Sequence, residues 1–308
     1  RGLGGAALLL PIAGVLPIGP GLILMIELDW NTSGYGYLAI APLLALIYVL
    51  AMCGLTVIAK WGLTGRVKPG VYSIWSGFYV RFWFVRQLGE LALDLLHPIY
   101  ATLYVRPWYQ ALGAKVGERA EISTATSVVP DLIEVGAESF IADGVVFGAP
   151  KSLPDAIHLE RTRIGRRTFV GNSALLPTGS DLGDEVLIGV LSTPPTASNL
   201  ALENGSTWFG SPPVRLPKRQ VVAVFNEGAR FKPAKRLVAT RLAIEYVRVT
   251  LSLTVFISLF SLLLTQIGDL SDLDYGAWWI AALFPFLYLA FAVGAGLFVV
   301  ALKWVVVG

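Results

Sequence analysis

Few residues of this sequence have the types and spacing that catalysis or metal binding requires. The chain has two histidines, His97 and His158, and a single cysteine, Cys53. One cysteine cannot close an intramolecular disulfide, and these three residues do not have the spacing of a zinc site. The sequence also has no Walker A loop, no dinucleotide-binding glycine fingerprint and no nucleophile elbow. We therefore expect no metal and no bound cofactor in this chain.

His158 is the residue best suited to acid–base chemistry. It lies in the segment AIHLERTRIG. An imidazole titrates near neutral pH, so His158 could take a proton from an attacking amine or hydroxyl group. The alternative is a histidine that only packs in a surface loop. His97 directly precedes Pro98 at the end of a predicted helix, where we expect a packing role.

The composition predicts a membrane protein. Apolar residues make up 55% and charged residues 15% of the chain, against roughly 25% charged in soluble proteins. This excludes a disordered chain and a plain cytosolic enzyme. Four uncharged stretches exceed or match the roughly 20 residues that span a bilayer, at 2–26, 30–59, 249–268 and 275–302. They predict two helical hairpins.

The charges next to these stretches predict their orientation. The first hairpin covers residues 2–60 with a turn at 27–35, and the second covers 242–303 with a turn at 268–275. Both turns hold acidic residues and no Lys or Arg, whereas the opposite flanks are basic. By the positive-inside rule the turns are external and residues 61–247 are cytoplasmic. The net charge of +3 is too small to indicate nucleic-acid binding.

Residues 71–97 form a different kind of apolar segment. They are rich in aromatic residues, but Arg81, Arg86, Glu90 and Asp94 interrupt them. Arg86, Glu90 and Asp94 are spaced four residues apart and share one helix face. We expect an amphipathic helix in the membrane interface. A fifth spanning helix is the alternative, which this density of charge disfavours.

The second and fourth stretches are related by a shift of 243 residues. This shift places Asp29 on Asp272, Pro42 on Pro285, and Lys60-Trp61 on Lys303-Trp304. The pattern predicts a repeated unit, a hairpin followed by a soluble domain. Together with a first residue other than Met, it predicts that the chain is part of a longer protein with further homologous soluble domains.

A shorter repeat runs through residues 112–213. An aliphatic residue recurs every six positions and is often followed by glycine, as in Val116-Gly117 and Ile164-Gly165. This pattern predicts a left-handed parallel β-helix built from hexapeptide repeats. We place this domain at 103–217, with residues 149–163 as a loop that leaves it. A basic connector at 218–241 joins it to the second hairpin.

The repeats carry a resemblance to two groups of proteins. The soluble part resembles the hexapeptide-repeat acyltransferases. The succession of a hairpin, KWGLTGRVKPG, an aromatic helix, YVRPWYQALGAKVG, the hexads, FGSPP and another hairpin looks like the C-terminal membrane region of nonribosomal peptide synthetases of the ε-poly-lysine type. The resemblance covers nearly the whole chain.

This resemblance implies a location in the bacterial inner membrane and a role in amide-bond formation. The expected partners are the lipid bilayer, a carrier-bound aminoacyl thioester, a cationic poly-amino acid and the homologous soluble domains of the same protein. A second copy of the chain is a further candidate partner. A phosphopantetheinyl carrier and an ATP-dependent adenylation domain are expected elsewhere in the longer protein. Two alternatives stay open, a stand-alone membrane acyltransferase and a non-catalytic scaffold or polymer-export segment.

Overall fold

The computed structural model describes residues 2–27, 36–195, 202–217 and 231–271, with scattered residues between 285 and 304. Two compact units divide the chain. One comprises Arg1–Leu16 and Met52–Tyr246, and the other comprises Pro17–Ala51 and Val247–Gly308. Most of the fourth predicted span, most of both predicted turns and residues 218–230 of the predicted connector lie outside the described residues.

The helices account for three of the predicted spans. Helices α1 to α6 cover Gly2–Val15, Gly19–Glu27, Gly36–Leu63, Gly77–Leu95, Val105–Ala111 and Lys235–Ser271. Three segments are long and apolar enough to cross a membrane, namely Leu3–Leu24, Leu38–Leu63 and Lys235–Phe260. In the first of them a short 3-10 turn, Leu16–Ile18, separates α1 from α2. Pro17 lies in this turn, and proline has no N–H for the helical hydrogen bond.

The segment predicted as one helix over 71–97 is divided in the structure. Gly70–Ser73 form strand β1, and α4 begins only at Gly77. The hydroxyl of Ser76 accepts a hydrogen bond from the backbone N–H of Tyr79 at 3.2 Å and so caps the helix. Helix α4 ends at Leu95, before Pro98. Its placement in a membrane interface stays a prediction.

Part of the aromatic face of α4 packs against protein. Phe82 is buried in a cluster with Val67, Leu132 and Leu159, and Phe78 and Tyr79 pack against the same cluster. Phe78 stacks on Phe82 with ring centroids 5.8 Å apart. These rings therefore stabilise the fold by burial within unit 1, which hydropathy alone does not distinguish from burial in lipid.

Short parallel strands form the centre of the soluble part. Strands β2 to β7 are Lys115–Val116, Glu121–Ile122, Ala125–Thr126, Ile133–Val135, Phe140–Ile141 and Val145–Ala149. Strands β8 to β16 are Lys151–Leu153, Ala156–Leu159, Thr162–Ile164, Phe169–Val170, Leu175–Pro177, Asp181–Leu182, Leu187–Ile188, Thr207–Phe209 and Val214–Leu216. The first residues of the predicted 103–217 domain form helix α5 instead of a strand.

Strands β2 to β7 and β10 to β16 form three sheets. The first sheet has the order β13-β10-β5-β2, the second β16-β15-β14-β11-β6-β3, and the third β12-β7-β4. Apart from the antiparallel pair of β15 and β16, the pairings in these sheets are parallel. The chain visits the first, second and third sheet in turn and then starts again. The prediction of parallel strands is confirmed, and the left-handed coil stays a prediction.

The recurring aliphatic residues form the core between these sheets. None of them is more than 5% exposed. They are Val116, Ile122, Val135, Ile141, Ile164, Val170, Leu176, Leu182 and Ile188. Each comes from a strand only a few residues long, so burial of these side chains against those of the next strand in the same sheet holds the sheets together.

The glycines that follow the aliphatic residues are required by close backbone contacts. Gly117, Gly136, Gly165 and Gly183 form a column along the first sheet. A Cβ atom on Gly136 would lie 2.4 Å from the carbonyl carbon of Gly165, and one on Gly165 would lie 2.3 Å from the oxygen of Gly183. Successive strands therefore approach each other too closely at this column for any side chain.

A column of charged residues lies at a turn beside the glycine column. Arg119, Glu138, Arg167 and Glu185 all have positive φ angles, between 52° and 63°. The buried Glu138 carboxylate accepts hydrogen bonds from Arg167 Nε at 2.8 Å and from Arg119 Nη2 at 2.7 Å. These hydrogen bonds from Arg167 and Arg119 lower the pKa of Glu138 to about 2.

The prediction of a loop at 149–163 is wrong in its secondary structure, because this segment contains strands β8 and β9. Strands β8 and β9 pair with β1 in an antiparallel sheet of order β1-β9-β8. Tyr72 pairs with Ile157, and Ile157 with Ser152. The partner of β9 on one side thus comes from a distant part of the chain, which the local sequence pattern did not indicate.

An ion pair joins the first turns of α6 to strand β3. Arg241 binds both carboxylate oxygens of Glu121, at 2.7 and 2.8 Å, and its Nε donates to Glu245 at 2.7 Å. Glu245 is buried and also accepts a hydrogen bond from the backbone N–H of Leu103. Bidentate pairing of this kind fixes both position and direction.

The glycine column gives a first prediction. Gly165→Ala should destabilise the protein by roughly 1–3 kcal/mol, because the new methyl group meets backbone atoms that have no room to move aside. The matched control is Gly77→Ala, since a Cβ at Gly77 has no neighbour within 4 Å. Thermal unfolding of the purified protein measures both. Equal unfolding temperatures for the two variants would contradict the close contact.

The pKa of Glu138 gives a second prediction. A carboxyl group whose pKa is lowered on folding contributes stability above its ordinary value of 4.5, and this contribution is lost as the pH falls to about 2. Glu138→Gln should therefore destabilise the protein at neutral pH and flatten the fall in stability between these two pH values. Glu118→Gln, at an exposed neighbouring residue, is the control. Denaturant unfolding at a series of pH values would show identical slopes if Glu138 were not responsible.

Candidate functional site

His158 lies on β9 at the centre of the antiparallel sheet. It pairs with Val71 of β1 on one side and with Lys151 of β8 on the other. Its side chain is 29% exposed, and its Nε2 lies 3.3 Å from Oε1 of Glu160. A carboxylate at this distance holds the ring in one orientation. The geometry therefore fits a residue that accepts a proton from a group in the adjacent space.

A cleft of about 640 Å³ opens beside this pair. Its walls come from β8, β9, β12 and β13 and from Pro194 and Pro195. Polar lining residues include Lys151, His158, Glu160, Thr178, Ser180 and Asp181. The cleft is large enough for an extended substrate, and its polar lining suits a charged one.

Glu160 is held in place by its neighbours. Its backbone N–H donates to the hydroxyl of Thr178 at 2.9 Å, and this hydroxyl donates to the carbonyl of Glu160 at 3.0 Å. Gly179, with φ of 84°, leaves room for the carboxylate, because a Cβ there would lie 2.1 Å from Glu160 Oε2. The acidic partner of His158 is therefore positioned by a turn that needs glycine.

The other residues considered for chemistry lie elsewhere. His97 begins the 3-10 turn His97–Ile99, and the backbone carbonyl of His97 accepts a hydrogen bond from the N–H of Tyr100. Cys53 lies on α3 as a free cysteine. Within the part of the chain that the structure describes, no group of three metal-ligating side chains occurs.

A buried ion pair that the sequence analysis missed lies at the end of α3. Lys60 Nζ is 2.9 Å from Asp131 Oδ1, and the two side chains are 3% and 1% exposed. Asp131 Oδ2 accepts a hydrogen bond from Val67 N at 3.0 Å. The ammonium group also lies 3.3 Å from the ring centroid of Trp61. The repeated Lys-Trp pair was the available signal, but in the sequence it indicated only that a unit is repeated.

Glycine is again needed beside this pair. Gly113 has φ of 108°, and a Cβ there would lie 2.5 Å from Asp131 Oδ1 and 3.1 Å from Lys60 Nζ. The second Lys-Trp pair has a similar local arrangement, with Lys303 Nζ 5.5 Å from the ring centroid of Trp304. The ammonium over the indole is thus a shared feature of the two repeated segments.

A partly open cavity of about 90 Å³ adjoins the ion pair. Residues of α3, α4, α5 and the 125–131 segment line it, all within unit 1. Its charged lining residues are Lys60, Arg86, Glu90 and Asp131. Its aromatic lining residues are Phe82, Tyr100, Trp108 and Tyr109. Burial raises the pKa values of Tyr100 and Tyr109, so both phenols stay neutral.

Comparison with known proteins finds one long sequence match. The chain is 35% identical to delta-poly-L-ornithine synthetase of Acinetobacter baumannii (strain AB307-0294) over 315 aligned positions, which cover 99% of this chain and 23% of that protein. The chain thus spans about a quarter of the length of this relative. No protein-family profile matches the chain.

Two solved structures show distant likenesses. AntD, an N-acyltransferase from Bacillus cereus, aligns with 37% of this chain and 88% of its own at 13% identity, with a TM-score of 0.24. A maltose O-acetyltransferase from Clostridium difficile 630 aligns with 53% of this chain and 98% of its own at 12% identity, with a TM-score of 0.29. TM-scores this low identify no function.

The buried ion pair gives a third prediction. Asp131→Asn keeps an acceptor for Val67 N–H but leaves the Lys60 ammonium buried without a carboxylate. The free energy of unfolding should fall by about 3–5 kcal/mol. Adding Lys60→Met to Asp131→Asn should restore part of this loss, because the buried charge is then gone. Glu134→Gln, which removes a partly exposed partner of Lys115, is the control.

Chemical denaturation with and without the second substitution measures this recovery. A double variant that is less stable than Asp131→Asn alone would show that Lys60 contributes mainly by other contacts, such as the one with Trp61.

Proposed function

We propose that this chain is a membrane segment of a poly-amino-acid synthetase. The single observation that carries this proposal is the 35% identity to delta-poly-L-ornithine synthetase along 99% of the chain. An alignment of this extent includes the apolar helices, the parallel sheets and the segments that join them. In this proposal the segment takes part in forming amide bonds between a carrier-bound amino acid and the amine of a free amino acid or of the growing polymer.

The segment would act together with parts that lie outside it. An adenylation domain would activate the amino acid with ATP, and a phosphopantetheinyl carrier would hold it as a thioester. Because the chain corresponds to 23% of its relative, the rest of such a protein has ample length for these domains. Further soluble domains like 103–217 are proposed as partners, in keeping with the repeated Lys-Trp segments, and a second copy of the chain is another candidate partner.

The apolar helices support a place in a bacterial inner membrane. Three segments have the length and hydropathy to cross a bilayer. We propose that they belong to the hairpins 2–60 and 242–303 and that residues 61–247 face the cytoplasm, where ATP and amino acids are available. The three sheets, visited in turn, would be the faces of a left-handed parallel β-helix of hexapeptide repeats.

His158 is the proposed general base of the reaction. An amine that attacks a thioester must first lose a proton, which the imidazole Nδ1 would accept, because Nε2 faces the Glu160 carboxylate and carries the ring hydrogen. The amine nitrogen then forms a bond to the carbonyl carbon, the carbon–sulfur bond breaks, and the carrier thiolate leaves and takes up a proton. Glu160, 3.3 Å from Nε2, would stabilise the imidazolium that forms. The cleft of about 640 Å³ offers room for both substrates.

The fourth prediction tests this role. In the full-length protein that contains this segment, His158→Ala should reduce polymer formation from a preloaded aminoacyl carrier by roughly 10²–10⁴-fold. Loading of the carrier should not change, since it takes place elsewhere. His97→Ala is the matched control, because His97 lies outside the cleft. Polymer yield is measured by mass spectrometry and loading by the intact mass of the carrier.

Two results would count against the proposal. An unchanged rate in His158→Ala would remove this residue as the base. Polymer formation by a protein that lacks the whole segment would refute the proposed function itself.

A further inference from the structure

The partly open cavity beside the Lys60–Asp131 pair is lined by two further charged side chains. Arg86 and Glu90 lie one turn apart on α4, and both line the cavity. Among the described residues, neither forms an ion pair within 4.0 Å. Lys60 and Asp131, by contrast, neutralise each other at 2.9 Å. The charged groups that remain in the lining of the cavity are therefore the guanidinium of Arg86 and the carboxylate of Glu90, one helix turn apart.

Ser127 holds these two charges at the cavity wall. Arg86 Nη2 donates to the hydroxyl of Ser127 at 3.3 Å, and the backbone N–H of Ser127 donates to Glu90 Oε1 at 3.2 Å. Ser127 has φ of 57°, a left-handed conformation that serine seldom adopts. Several other turn residues share this conformation, and in this turn one residue contacts both charged side chains.

Two buried donors in the cavity wall have no acceptor. Arg86 Nε and Trp108 Nε1 are both buried, and neither has a hydrogen-bond partner among the described residues. Both residues line the cavity, and Trp108 is only 8% exposed. Buried donors are rarely left without a partner in native proteins. A carboxylate has enough lone pairs to accept from both.

The opposite half of the cavity suits a cation. Glu90 Oε2 has no hydrogen-bond partner in the described part of the chain and can accept from an ammonium group. Trp108 packs edge-on against Tyr100, with centroids 5.6 Å apart, and lies 5.9 Å from Tyr109. Aromatic faces next to a carboxylate are a favourable environment for an ammonium ion. The tyrosines stay neutral, so they add no further charge.

We propose that this cavity binds the ammonium and carboxylate groups of an α-amino acid. The carboxylate would accept from Arg86 Nε and Trp108 Nε1, and the ammonium group would donate to Glu90. The volume of about 90 Å³ is enough for the zwitterionic head group, which is the part that these residues would contact. Because the cavity is partly open, the side chain of the amino acid can extend out of it, so that recognition depends on the head group.

This assignment follows from the cavity residues, and it depends on the proposed function only for the role of the ligand. In a poly-amino-acid synthetase the bound molecule would be the free amino acid before it moves to the cleft of His158, where it joins the polymer. Outside that role, the cavity would still bind an amino acid. The two proposals can therefore fail separately.

The fifth prediction is a binding experiment on the complete chain in detergent, by isothermal titration calorimetry. L-Lysine and glycine should bind with similar affinity, because both carry the head group. Cadaverine lacks the carboxylate and ε-aminocaproate lacks the α-ammonium group, and each should bind roughly tenfold or more weakly than L-lysine. Absence of heat for all four probes would mean that the cavity holds only water, and the assignment would be wrong.

Substitutions on α4 supply the matched controls. Arg86→Gln and Glu90→Gln should each weaken L-lysine binding by roughly tenfold or more. Arg81→Gln and Asp94→Asn change the same kinds of charge at exposed positions of the same helix and should leave the affinity unchanged. Unfolding temperatures without ligand show that each variant is folded, and if one of the pair does not fold, the other decides.

Wild-type affinity in both folded variants at Arg86 and Glu90 would overturn the assignment. His158→Ala should bind L-lysine normally, since His158 lines a different cleft. If the cavity binds amino acids but the full-length protein forms no polymer, the proposed function fails while the binding site stands. The reverse result, polymer formation without binding here, would place the acceptor elsewhere.

Discussion

A buried ion pair between Lys60 and Asp131 joins four separate parts of the soluble unit. Lys60 belongs to the last turn of α3, Val67 to the segment that follows it, Gly113 to the end of α5, and Asp131 to the turn before β5. Moving two charges out of water costs several kcal/mol per ion unless their geometry and remaining hydrogen bonds are nearly complete. The four parts can therefore move very little relative to one another. Lys60, Val67 and Asp131 also line the neighbouring cavity, so its wall is held in place with them.

The parallel strands and their inward-facing residues could be predicted because the information is local. An aliphatic residue every six positions, with a glycine after it, is visible in Val116-Gly117 and Ile164-Gly165 without knowledge of any distant contact. The pairing of β1 with β9 could not be predicted in this way, since Tyr72 and Ile157 are far apart in the chain. Hydropathy likewise did not distinguish the protein-packed rings of α4 from rings that face lipid.

The same distinction separates the two candidate sites. His158 could be selected from the sequence because histidine is rare in this chain and its imidazole is a common acid–base catalyst. Its partner Glu160 lies two residues away, but their approach depends on the turn at Thr178 and Gly179. Arg86 and Glu90 could be placed on one helix face by their spacing. Their common contact with Ser127 depends on segments about 40 residues apart in the chain.

The glycine column also constrains how the soluble domain can vary. Each glycine in this column is in contact with the backbone of the next, as Gly136 is with Gly165 and Gly165 with Gly183. A side chain at one position would push two strands apart and so create space at the neighbouring positions. Substitutions along the column should therefore be strongly non-additive, with the second costing less than the first. In evolutionary terms, such residues are expected to change together or not at all.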